Sequence, residues 1–165
     1  MTMQMVFALA GVAAVMGAEL AVSAVGQAKK EPAAPSHAIV HYGDLKWTPI
    51  IKNMDLAVVS GDPSAAGGFY VVRLRCTDGA KVSAHWHPED ENVTVLKGMF
   101  LVGMGETYDE AKLKTMNTGN FTTVPKEMRH YGACRGDTIV QVHGVGPFQV
   151  NWVNPADVIP PDTKK

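Results

Sequence analysis

The stretch "HWHPEDENVTVLKG", His85 to Gly98, sets two histidines one residue apart and a glutamate four residues after the second. Side chains on a strand alternate faces, so Ser83, His85 and His87 share one face while Val82, Ala84 and Trp86 share the other. Pro88 ends the pairing of that strand. After the turn, Glu91 has the parity of Val93 and Val95, the natural inward residues of the next run. Two imidazoles and a carboxylate therefore converge. Left unpaired in an interior they would carry a large desolvation penalty, which direct coordination of a divalent cation removes. His130, in "KEMRHYGAC", is a fourth candidate ligand, on a later strand with Met128 and Gly132 on its face. A cation held this way can polarise a carbonyl or enediolate, lower the pKa of a bound water or, when redox-active, activate dioxygen. Glu89 and Asp90, in the turn itself, read as solvated residues.

The elements that must position these groups are short. Runs such as "LAVVS", "FYVVRLRC", "KVSAHWH", "NVTVLKGMFLVGMG", "FTTVP", "RHYGAC", "TIVQVHGVG" and "FQVNWV" are rich in Val, Ile, Thr and aromatic residues, and Gly, Pro, Asp and Asn fill the gaps between them. One helical turn is conceivable at "DEAKLK". The pattern is that of an all-β sandwich or barrel. Arg135-Gly136-Asp137 reads as a tight turn between two strands rather than as an adhesion tripeptide. Asn92-Val93-Thr94 and Asn120-Phe121-Thr122 lie in or beside strands and read as chance matches to a glycosylation pattern.

With these residues in view, the chain resembles the cupin superfamily. Its first motif, G-x5-H-x-H-x3-E-x6-G, is matched without a gap by Gly79, His85, His87, Glu91 and Gly98. Its second, G-x5-P-x-G-x2-H-x3-N, is matched by Gly119, Pro125 and His130, with Glu127 in place of the glycine and Cys134 in place of the asparagine. The first departure bears on the turn beside Pro125 and the second on any role of the asparagine. The resemblance implies a cupin-type jelly-roll β-barrel of one domain. It also implies one divalent transition-metal ion held by His85, His87, Glu91 and His130. Ligand chemistry admits Zn, Mn, Fe, Co, Ni or Cu.

Because cupins include dioxygenases, oxalate-degrading enzymes, isomerases, epimerases, lyases and non-catalytic binders, the resemblance leaves the reaction open. The expectation is a metal-dependent enzyme acting on a small oxygen-rich molecule, dioxygenase-like chemistry first. The rival is a non-catalytic metal- or ligand-binding cupin. The catalytic candidates beyond the ligands are Tyr131, whose parity opposes that of His130, and His143 in "VQVHGVGPF", whose parity opposes Val140 and Val142.

A chain of 165 residues, 46% hydrophobic, fits one domain. Its formal charge of −1 and scattered lysines and arginines give no footprint for nucleic acid. Residues 1–28 contain the apolar run "MVFALAGVAAVMG", short for a membrane span and followed by small residues, as in a secretory signal peptide; an uncleaved anchor or an N-terminal helix are the alternatives. Residues 29–38 then read as a flexible spacer, 39–153 as the barrel and 154–165 as a tail. A periplasmic or secreted protein with no membrane span after signal cleavage is expected. Trp86 reads as packing against another sheet or a partner subunit. The outer face of Val82, Ala84 and Trp86, with the apolar "HAIVHYGDLKWTPI", predicts a homodimer.

The cysteines, Cys76 and Cys134, fit no metal pattern. In a cupin the two ligand-bearing strands are antiparallel neighbours, which would bring Cys76 and Cys134 to one end of the barrel, facing inward. A bridge there closes a loop of about 60 residues and would contribute roughly 3 to 4 kcal/mol. Two buried free thiols are the alternative.

Overall fold

The period-two pattern of "FYVVRLRC" is expressed directly in the computed structural model, where Tyr70, Val72 and Cys76 are buried along one strand. The structure describes residues 37–162; the expected signal peptide and most of the spacer lie outside them. Nine strands follow in order: β1 (Thr48–Ile51), β2 (Met54–Ser60), β3 (Phe69–Cys76), β4 (Lys81–Trp86), β5 (Glu91–Met104), β6 (Lys114–Asn117), β7 (Phe121–Val124), β8 (His130–Val145) and β9 (Asn151–Trp152). Helical structure among the described residues is confined to three short 3-10 turns, one of them Glu110–Lys112 within "DEAKLK".

Every pairing is antiparallel. The order β1-β2-β3-β8-β4-β9 forms one edge-to-edge path, while β5 pairs with β6, β7 and β8. The long strand β8 organises the sheet. Its first half pairs with β4 and the end of β5, and its second half with β3 and the start of β5. The sheet curls into the expected half-open jelly-roll barrel. Its core gathers Tyr70, Val72, Val93, Val95, Val102, Met116, Val140 and Val142 from β3, β5, β6 and β8.

The curl depends on bulges in β5 and β8 that face each other. Gly98 has φ +78°, and a Cβ there would lie 2.9 Å from Thr138 Cα and closer still to the Asp137 carbonyl oxygen. Only glycine fits. Across the gap, the buried Thr138 hydroxyl accepts from Met99 N–H at 3.1 Å and donates to Met99 O at 3.0 Å, satisfying itself where the ladder is interrupted. Arg135-Gly136-Asp137, read from sequence as a turn, is the matching kink inside the continuous strand β8. Gly136 takes φ +68° and donates its N–H to Asp78 at 2.6 Å, so the chain bends without reversing.

The parity expected for β4 is altered by another bulge. Val82 pairs with Gly132 and His85 with His130, so β4 spends one more residue than β8 over this stretch. Val82 consequently joins His85 in lining the interior, and the Ser83 hydroxyl instead donates to Asp157 O at 2.7 Å. Ala84 is buried rather than outward-facing. Trp86 is half-buried with the Arg129 guanidinium 5.4 Å over its ring.

Cys76 and Cys134 are joined in a disulfide, with Cα atoms 6.3 Å apart. Both are buried with Ile51, Met54 and Ala80 in a second apolar cluster, as the bridged alternative requires. The C-terminal segment does more than trail away. Val158 packs against that cluster, and Ile159 O accepts from Lys52 N–H at 2.9 Å.

Candidate metal centre

His85 lies near the end of β4, His87 directly after it, Glu91 opens β5 and His130 opens β8. Pairing of β4 with β8 sets His85 across from His130, their rings 4.1 Å apart. All four side chains are buried, 4–7% exposed. Ligand atoms of His85, His87 and His130 lie within 4.8 Å of one another, a spacing that can hold a metal ion. The Glu91 carboxylate adjoins them, 3.2 Å from His130 Nε2 and 3.6 Å from His87 Nε2. The structure thus brings together all four residues singled out in the sequence.

The orientation of the rings is fixed from behind. Nδ1 of His85 meets Ser83 O at 2.8 Å, Nδ1 of His87 meets Gln149 O at 2.8 Å, and Nδ1 of His130 meets Met128 O at 3.0 Å. A carbonyl oxygen can only accept, so each Nδ1 carries a proton and each ring turns its Nε2 inward. Backbone carbonyls behind metal-binding imidazoles serve this purpose generally. His87 Nε2 is buried with no hydrogen-bond partner. An orphaned acceptor facing two further imidazole nitrogens and a carboxylate fits a cation and fits little else.

Charge balance agrees. Burial, reinforced by His130 and His87, pushes His85 down to about 3, and burial also lowers His87 despite the attraction of Glu91. Burial opposes the charged form of Glu91, but the hydrogen bond from His130 and the charges of the imidazoles outweigh it and hold the carboxyl below its ordinary range. Burial likewise opposes a charged His130, and the Glu91 carboxylate reverses this, raising it. The set therefore offers an ionised carboxylate with neutral His85 and His87, as coordination requires.

Around the ligands is a cavity of about 230 Å³ inside the barrel. Two of its walls escaped the sequence reading. Phe148 stacks on His87 at 5.0 Å, and Trp152 lies 5.3 Å from His85. Phe148, Val150 and Trp152 all line the cavity, so the alternation in "FQVNWV" carried the signal. Tyr70 is buried too, its phenol raised by burial and by Glu91, and so stays neutral.

Of the two further catalytic candidates, Tyr131 lines the cavity and His143 does not. Tyr131 is 1% exposed, not packed on an open exterior; it lies beneath Tyr108 and donates its hydroxyl to Asp109 O at 3.3 Å. His143 is on the opposite face of β8 from Val140 and Val142, flanked by Phe69 and Phe121, and does not line the cavity.

Residues 35–149 match the family model of the ChrR cupin-like domain, and the chain belongs to this cupin family. Comparison with functionally curated proteins gives no significant match. Among solved structures the chain is similar to the polyketide cyclase RemF from Streptomyces resistomycificus. That match has 16% identity and a TM-score of 0.61, covering 74% of this chain and 89% of the other. A candidate acetylacetone dioxygenase from Methylibium petroleiphilum PM1 matches at 14% identity and TM-score 0.57, covering 76% and 87%. KdgF from Halomonas sp. matches at 15% identity and TM-score 0.53, covering 73% and 98%. At such identities these likenesses establish the fold.

Proposed function

We propose that the protein is an exported, metal-dependent enzyme that holds one divalent transition-metal ion on His85, His87, Glu91 and His130 and acts on a small oxygen-bearing molecule, with oxidative cleavage as its reaction. The observation that carries this reading is the anchoring of all three Nδ1 atoms on backbone carbonyls, which commits three Nε2 atoms and one carboxylate to a single point. A redox-active ion bound there would supply Lewis acidity and access to dioxygen chemistry. The chain's own residues orient the ligands, keep His85 unprotonated and surround the centre with a largely apolar lining. Two structural neighbours bear enzyme names, a cyclase and a dioxygenase, which favours catalysis.

A second reading, a non-catalytic binder, is favoured by one observation. Among the described residues lining the cavity there is no Lys, Arg or Asp, and the one carboxylate, Glu91, is itself a ligand candidate. The one phenol in the lining, Tyr131, has its hydroxyl committed to Asp109 O, so no Lys, Arg or free carboxylate stands beside a substrate to move a proton.

Export is supported by the buried Cys76–Cys134 disulfide, a bond that persists in oxidising compartments. For homodimer formation the support is the exposure of Ile39, Val40, Tyr42 and Ile50, rather than the β4 face, where Val82 and Ala84 turn out to be covered. Light scattering at micromolar concentration should report a dimer.

Elemental analysis of protein purified without added metal tests the centre: about one ion per chain is expected, with most of it lost in His85→Ala and His130→Ala. Wild-type protein without metal, or unchanged content in both variants, overturns the reading. Dioxygen consumption by the metal-loaded protein with small dicarbonyl compounds separates the enzyme from the binder.

A further inference from the structure

The cavity wall is unusual in being almost entirely apolar. Leu56 and Leu74 line it from β2 and β3, Phe100 and Val102 from β5, and Phe148 and Trp152 from the far side. Apart from the histidines and Glu91, its polar side-chain groups among the described residues are Thr122, Tyr131 and the single indole N–H of Trp152, and the Tyr131 hydroxyl is already donated to Asp109 O. A dicarboxylate needs a cation or several N–H donors to replace its hydration, and a sugar needs partners around its whole rim. Away from the ligand end the wall supplies neither.

We propose, building on the metal reading above, that this cavity receives a small uncharged molecule with an apolar body whose oxygens are confined to the end that faces His85, His87 and His130. Size follows from volume: an apolar cavity of about 150 Å³ holds the six carbons of benzene, so one of about 230 Å³ holds about nine non-hydrogen atoms. A molecule of that kind buries its hydrocarbon part against Leu56, Leu74 and Phe100 and leaves no hydroxyl unpaired. Polyhydroxylated or doubly charged molecules of equal size are rejected, because each polar group buried without a partner weakens binding by roughly ten-fold or more. The specificity-determining residues are then the aliphatic and aromatic wall, not the ligand set.

The test uses the whole protein in two forms. In metal-stripped protein, toluene, which has no oxygen, should raise the melting temperature and alter the fluorescence of Trp152. Oxalate and glucuronate at the same concentration should do neither. In metal-loaded protein, acetylacetone should bind at least about ten-fold more tightly than glucuronate, whose hydroxyls cannot all reach the ion. The variant Leu56→Phe, which narrows the cavity away from the ligands, should lose toluene binding while keeping its metal content. Should that variant fail to fold, the ranking of the probes on the wild-type protein still decides. Glucuronate binding as tightly as acetylacetone, or no response to toluene, overturns the proposal. Toluene binding in a protein that takes up no metal overturns the metal reading and leaves the apolar receptor standing.

Discussion

His130 Nε2 lies 3.2 Å from Glu91 Oε2 while Nδ1 of the same ring lies 3.0 Å from Met128 O. Both nitrogens of the imidazole face acceptors, and a protonated ring satisfies both at once. Here the cation site and the proton site coincide, because any ion bound by His130 Nε2 and Glu91 must displace that proton.

The first prediction is that metal uptake releases a proton from His130, whose pKa is raised because the hydrogen bond to Glu91 and its negative charge outweigh burial. The sign is fixed: as pH falls through the raised pKa, protons compete and apparent metal affinity falls. Calorimetric titration of stripped protein in buffers of different ionisation enthalpy should show proton release near and below neutral pH, fading at alkaline pH. Binding enthalpy that is the same in every buffer near neutral pH would refute it.

Acid should destabilise the stripped protein through His85. Its pKa, pushed down to about 3 by burial and by its two histidine neighbours, lies below the unfolded value of 6.5. The unfolded chain therefore takes up a proton that the folded chain refuses, and stability declines as pH drops from about 6.5 toward about 3. The loss amounts to about 2 kcal/mol by pH 5 from this residue alone. His130, raised, contributes its full share below 6.5 and so does not offset the slope there. Urea denaturation at pH 6.5 and 5 should reveal the difference, and His85→Leu should flatten it. Equal stability of the wild-type protein at both pH values would sink the argument.

How far the sequence exposed this site depends on which contacts are local. Strand parity and motif spacing located His85, His87, Glu91 and His130 because each position is set by its own strand, whereas the cupin resemblance brought Cys76 and Cys134 to one end of the barrel but left a bridge and two free thiols both open. Parity failed at Val82 and Ser83, where one inserted residue in β4 reverses the faces, and single-chain alternation contains no sign of a bulge whose cause is the partner strand. The Nδ1 anchor of His87 was equally hidden, since Gln149 is 62 residues away and acts through its backbone, which carries no side-chain signature. Phe148 and Trp152 were visible as strand residues but not as a wall, because that requires knowing that β9 pairs with β4. Packing of Val158 was masked by a proline-rich context that reads as unstructured.

The disulfide gives a third prediction. Cys76 and Cys134 are 58 residues apart and share an apolar cluster, so bridging them restricts the unfolded chain substantially. Reduction, or Cys76→Ala with Cys134→Ala, should lower stability by roughly 3 to 4 kcal/mol. Thiol titration of unfolded, unreduced protein should find no free thiol. Two free thiols per chain, or an unchanged denaturation midpoint in reductant, would contradict the assignment.

The last prediction concerns Glu127, which occupies the glycine position of the second motif. Its φ is +62°, so the turn keeps the left-handed conformation although the residue has a side chain. The surrounding bonds hold it there: Met128 N–H donates to Pro125 O at 3.1 Å, and Glu127 N–H donates to His87 O at 2.8 Å, tying the turn to a metal-ligand candidate. A side chain in this region costs about 1 to 2 kcal/mol, while glycine's extra freedom in the unfolded chain returns about 0.5 to 1 kcal/mol of that. Glu127→Gly should therefore stabilise the protein by up to about 1 kcal/mol, with metal content unchanged because the backbone bond to His87 survives. Glu127→Ala retains the strained φ and removes only the carboxylate, so it should bring no such gain. If Ala and Gly at this position stabilise equally, the carboxylate rather than the backbone is what the turn resists; if Gly destabilises by more than about 1 kcal/mol, the strain is not there.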